Sequence, residues 1–147
     1  MTSESNWAGK RLGLPESGTG SMAKMGRRVA AILIDWGIST LVGYAIFQSA
    51  NSQIQSDAQY QATLTAQNLT VLGIFALQQW LLVATLGYSI GHRILGIAVR
   101  RLDGKWVGFW RSLIRVGLIL LVLPVTIWDA DNRGLHDKAV GTVLVRI

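Results

Sequence analysis

RRVAAILIDWGISTLVGYAIF, residues 27–47, is apolar enough to enter a lipid bilayer and yet carries an aspartate, Asp35, about two turns inside its basic end. Val29 to Phe47 supplies about 19 residues, just enough at ~1.5 Å rise per residue to cross a hydrocarbon core of ~30 Å. The run is too long for the apolar part of a signal peptide, holds an acid, and is not followed by a convincing small-x-small cleavage site. It reads as a first transmembrane helix, 29–47. Leu69 to Ile90 reads as a second, of about 22 residues, returning the chain to the side it left. Between them, Gln48 to Asn68 has one acid and no base, as expected of a polar external loop, partly helical.

Composition agrees. Half of the 147 residues are hydrophobic and the mean hydropathy is +0.37, more than a soluble domain this small usually hides. With no cysteine, disulfides, thiolate metal sites and cysteine nucleophiles are excluded. The net charge of +6 is informative through its placement: of fourteen Lys/Arg, five precede residue 29, none falls between Val29 and His92, and six lie from Arg93 to Arg115. That is the bias of cytoplasmic segments flanking membrane spans. Nucleic-acid binding, which wants a basic face with interleaved aromatics on a soluble surface, is not expected.

Residues 1–25, rich in Gly and Ser and without periodicity, read as a flexible cytoplasmic tail, and 26–147 as the membrane domain. After the second span, Ile94, Leu95, Ile97 and Val99 precede an Asp103-Gly104 turn signal and Trp106-Val107 follow it, which predicts a hairpin over 93–109. A third apolar run, 112–128, contains Arg115 and Pro124, and the proline favours a bend. The end, DKAVGTVLVRI, has the β-branched content of a strand. A lone strand needs a partner, and the hairpin is the obvious one, so the tail is expected on the cytoplasmic side. The fold class is an all-α membrane protein of two to three transmembrane helices with a small cytoplasmic β element.

A charge near the bilayer centre costs at least ~2.5 to 3.5 kcal/mol, so Asp35 needs a partner. Arg28, seven residues earlier on the same helical face, lies ~10.5 Å away along the axis, too far for direct pairing; it can equally snorkel to the interface. The expected ion pairs are Asp35 with Arg115 and Arg28 with Asp137, and Gln78 and Gln79 in the second span are candidate hydrogen-bond donors to Asp35. Gly87 and Gly91 form a small-xxx-small face for close helix packing. DADNRGLHD, 129–137, touches the calcium-loop pattern at Asp129, Asp131 and Gly134, but Arg133 occupies a ligand position and Val140 stands where the bidentate glutamate belongs. His136 and Asp137, adjacent on a strand, would point to opposite faces. No catalytic residue, metal site or cofactor is predicted, and an enzyme is not expected.

Arg28 opening the first helix, Asp35 within it and the terminal RGLHDKAVGTVLV with Asp137 together resemble the RDD family of small membrane proteins, named for one arginine and two aspartates. TLGYSIGHRILGIAVRRLDGKW, 85–106, is similar to that family's Gly-rich exit from a helix, with Tyr88 and His92 where a smaller residue and a lysine are usual. The resemblance covers about residues 26–147 and implies an integral membrane protein, for which transport is the usual suggestion. The expectation is a protein of the cell membrane with a cytoplasmic N-terminus. It would act as an oligomeric transport component or, alternatively, as an accessory subunit packed against a larger complex.

Overall fold

The computed structural model describes residues 6–121 and 134–147. Two long helices, α1 (Met25–Asn51) and α2 (Asp57–Leu86), are joined by residues 52–56. Asp35 lies opposite Gln79, and a Cβ on Gly43 would meet Val71, the order of an antiparallel hairpin. Ser56 starts α2 by accepting from the Gln59 amide, while the Gln59 side chain accepts from Gln55, a local cap built from a Ser-x-x-Gln spacing. Most of the expected loop 48–68 is thus helical, because its Ala- and Gln-rich sequence favours continuation once capped. The helices are longer at the loop end than the apolar runs alone indicate.

Both helices are long and apolar enough to cross a membrane: their best 18-residue windows have mean hydropathy of 1.7 and 1.8, and only 22% and 28% of those windows are buried within the protein. Core helices of a soluble fold are mostly buried, and these are not. What α1 does bury is a stripe of Arg28, Ala31, Asp35, Ser39 and Gly43, at helical spacing and mostly small or polar. Leu33, Leu41, Tyr44, Leu69 and Leu77 face outward, each about half exposed or more. Small and polar residues at the seam with large apolar residues outside is the arrangement helices adopt in lipid, and so wide an apolar surface demands a cover.

At Gly87, with φ 79°, the chain leaves α2 in the left-handed conformation that glycine adopts without strain. The expected second span therefore stops at Leu86 instead of running to Ile90. Gly87 and Gly91 do not share a helical face: Gly87 ends α2, and Gly91 belongs to the short α3 (Ile90–Ile94). Gly91 still allows a close approach, since a Cβ there would sit 2.1 Å from the Ala31 carbonyl oxygen.

Beyond α3, β1 (Ile97–Arg101) reaches the turn at Asp103-Gly104, but no hairpin follows. The chain enters α4 (Phe109–Leu120), and β1 pairs instead with β2 (Thr142–Arg146), antiparallel, with Val99 opposite Leu144. The strand partner expected for the tail is thus found, though the first part of the predicted strand is helical, α5 (Leu135–Val140). Pro124, the rest of the 112–128 run and residues 129–133 lie outside the described residues.

The N-terminal segment departs from the flexible tail expected of it. Gly20 donates to the Arg146 carbonyl, Arg146 to that of Ser21, and Ala23 to that of Leu144. Met22 packs with Val143 and Val145, flanked by Ala8, Leu12 and Leu14. A strand edge recruits any extended backbone with free amides, and Gly-Ser composition does not reveal it. The resulting cap locks onto the helical hairpin through one apolar cluster in which Ala23, Ile97, Val99 and Leu144 meet Ala31 of α1 and Val83 of α2.

Leu144 is 2% exposed in that cluster and Leu41 is 72% exposed on α1. Leu144→Ala is expected to lower stability by about 2–5 kcal/mol and Leu41→Ala by no more than about 0.5 kcal/mol, both read from unfolding in detergent micelles.

Candidate functional site

Asp35 is wholly buried and receives four donors. Gln78 Nε2 and the Gly91 amide reach Oδ1, each at 2.7 Å. Gln79 Nε2 reaches Oδ2 at 2.7 Å, and the Ser89 hydroxyl makes a short contact to the same oxygen. A carboxylate has about four lone-pair sites, so each is met, and donors of this kind offset the cost of carrying charge out of water. The donors come from α2, from the Gly87–Ser89 turn and from α3, so one side chain of α1 gathers three parts of the chain.

Of the expected partners, Gln78 and Gln79 are found on Asp35 and Arg115 is not. Arg115, 1% exposed, directs Nε to Asp137 Oδ1 at 2.9 Å. Arg115 thus takes Asp137, the partner expected of Arg28, because α4 is clamped to α2 through Ser112 to the Trp80 carbonyl and Trp80 to the Phe109 carbonyl, which sets Arg115 toward α5. Thr142 Oγ1 also donates to Asp137 Oδ1, at 3.2 Å, and Arg111 bonds the Val140 carbonyl. Arg28, 6% exposed, gives Nε to the Ala23 carbonyl at 2.9 Å, and its charge acts on Asp137 from a distance. Arg28, Arg115 and His136 line a cavity of about 20 Å³, the size that holds a single water.

Sequence reasoning missed Ser89, the Gly91 amide and His92. The signal was present as Ser89-x-x-His92, a reciprocal cap in which Ser89 Oγ accepts from the His92 amide and His92 Nδ1 from the Ser89 amide. This fixes Nδ1 as an acceptor and leaves the ring proton on Nε2. The Ser89 hydroxyl then carries one proton between two acceptors, Asp35 Oδ2 and His92 Nδ1, the latter at 2.7 Å. One further proton on this chain would give every contact a donor. His136 and Asp137 stand on helix, not strand, and their side chains approach within 3.5 Å.

Burial pushes His92 down to about 3, with Arg115 adding to the effect. Burial likewise lowers His136 to about 4, against the pull of Asp137. Burial alone would raise Asp137, but Arg115 above all holds it at about 2. In the unfolded chain the histidines take up protons near 6.5, which the folded protein refuses until pH 4 or 3. Stability is therefore complete above pH 6.5 and falls below it, each histidine contributing a slope of about 1.4 kcal/mol per pH unit. Asp137 contributes stability above 3.8 that is lost as pH falls toward 2. The melting temperature in detergent is expected to be flat from pH 8 to 7 and to decline steadily below 6.5, less steeply in His92→Gln.

Asp137→Asn strands the Arg115 charge in a buried site and is expected to cost about 3–5 kcal/mol; adding Arg115→Met should recover part of that loss. Denaturation of the three variants in micelles checks the order.

A family model described as the RDD family matches residues 22–141. No curated protein and no solved structure matches the chain. The match begins at the segment beside β2, takes in both long helices, and contains Arg28, Asp35, Arg115 and Asp137. The chain belongs to the RDD family.

Proposed function

We propose that the protein is integral to the cell membrane, spanned by α1 and α2, with residues 6–24, β1 and β2 on the cytoplasmic side, and that it serves as an accessory or assembly subunit, self-associated or docked on a larger membrane complex. The observation that carries this reading is the contrast between surface and interior. The charged residues Asp35, Asp137 and Arg115 are engaged inside the chain, while Leu33, Leu41, Leu69 and Leu77 form an outer surface left exposed among the described residues. Such a surface suits lipid or other helices. The orientation rests on the Lys/Arg bias, with none between Val29 and His92.

A second reading, an oligomeric ion or solute transport component, is favoured by the Asp35–Ser89–His92 chain, where one hydroxyl proton is shared between two acceptors.

Asp35→Asn separates the two. It replaces one accepting oxygen by an amide NH2 that faces two of the four donors, either Gln78 and Gly91 or Gln79 and Ser89, so the assembly reading expects low membrane abundance and loss of any complex retained on mild detergent extraction. Normal abundance with abolished cation-driven pH change in vesicles would instead establish transport. Cysteines introduced at Ser52 and Ser56 should label from outside intact cells and one at Lys105 should not; the reverse pattern overturns the orientation.

A further inference from the structure

Where α2 gives way to α3, an open groove of about 200 Å³ is lined by Leu82, Leu86, Ile90 and Ile94, with Tyr88 and Arg93 beside them. Leu82 and Leu86 are one turn apart on α2, and Ile90 and Ile94 one turn apart on α3. Leu86, Ile90 and Ile94 are 52%, 40% and 62% exposed, so the groove is apolar and unfilled. Arg93 does not swing free: its guanidinium lies 5.4 Å over the Tyr88 ring, a cation–π contact that holds charge against the groove. Arg27 brings a second guanidinium to the same turn, donating Nη1 to the Leu95 carbonyl at 2.9 Å. Among the described residues neither arginine has a carboxylate within ion-pair distance.

We propose that this groove seats one acidic phospholipid, an acyl chain lying along Leu82, Leu86, Ile90 and Ile94 and the phosphate meeting Arg93 and Arg27. The proposal rests on the membrane reading above and adds the chemistry of one leaflet. Four apolar side chains in a row fit a hydrocarbon chain, whereas an unpaired guanidinium at the groove asks for an anion, and a phosphate accepts from it bidentately. A soluble anion would leave the apolar floor wet, and a neutral lipid would leave the two arginines without a net countercharge. The position fits as well. Gly87 ends the span here, which is where headgroups begin, and exposed Trp106 and Trp110 follow in the chain as residues that favour that layer. The opposite ends of α1 and α2, from Gln48 to Asp57, hold no Lys or Arg, so the preference is confined to one leaflet.

The test is native mass spectrometry of the detergent-purified full chain titrated with phosphatidylglycerol or phosphatidylcholine of matched acyl chains, alongside alkaline carbonate washing of the membranes. One phosphatidylglycerol per chain should be retained at least ten-fold more readily than phosphatidylcholine. Arg93→Gln and Arg27→Gln should each cut that preference several-fold, Arg93→Lys should keep part of it, and Arg100→Gln, an exposed cation on β1, should leave it intact. Equal retention of both lipids, an equal loss in Arg100→Gln, or displacement of the lipid by millimolar inorganic phosphate would overturn the groove while the protein stays in the carbonate pellet. Release by carbonate would overturn the membrane reading itself.

Discussion

A carboxylate placed in an apolar helix has to be surrounded by donors before the helix can settle, and Asp35 meets that demand by drawing in the rest of the chain. Its four donors come from Gln78 and Gln79 on α2, from Ser89 in the turn, and from the Gly91 backbone in α3. Each enforces geometry elsewhere. The glutamines fix the rotation of α2 against α1. Ser89 and Gly91 draw α3 back across the end of the hairpin, where only glycine permits contact with the Ala31 carbonyl. With α3 in place β1 has one direction to leave in, and the Val99 amide is pinned to the Gly87 carbonyl at 2.6 Å.

The second polar centre, Arg115 with Asp137, performs the complementary task for the C-terminal half. A buried ion pair adds little net stability against an apolar alternative, yet it is costly to misalign. It therefore specifies where α5 docks on α4 more than how tightly, while the cluster around Ile97, Val99 and Leu144 supplies most of the cohesion through burial. Polar groups set the register and apolar groups hold it.

Much of this was legible in the sequence because long apolar helices leave a polar group few options. Two apolar runs of sufficient length, an acid that needed a partner, and Gln78-Gln79 as donors follow from the cost of bare polarity in hydrocarbon. A strand in the DKAVGTVLVRI tail and its pairing with the 93–109 segment follow from β-branched content and the need of a lone strand for a neighbour, although the hairpin expected there does not form and the strand starts only at Thr142. Arg115 was assigned to Asp35 instead of Asp137 because its reach depends on α5, which reads as strand when DKAVGTVLVRI is taken as one run. The Gly91 amide was hidden because backbone donors carry no side-chain signature, and the glycine's spacing from Gly87 suggested a packing face. Residues 20–23 add to β2 through main-chain bonds alone, which Gly-Ser composition neither requires nor forbids.

The order in which the chain is synthesised gives the Asp35 clasp a further meaning. α1 emerges long before its donors: Gln78 follows Asp35 by 43 positions and Gly91 by 56. In the membrane reading proposed above, a ribosome feeding this chain into a bilayer delivers an apolar helix whose acid has no intrachain donor until α2 and the start of α3 have also emerged. The edge beside Ser21 to Ala23 stays open until β2, made after both long helices, arrives to close it. In that reading the first helix settles only once sequence still being translated has supplied its donors.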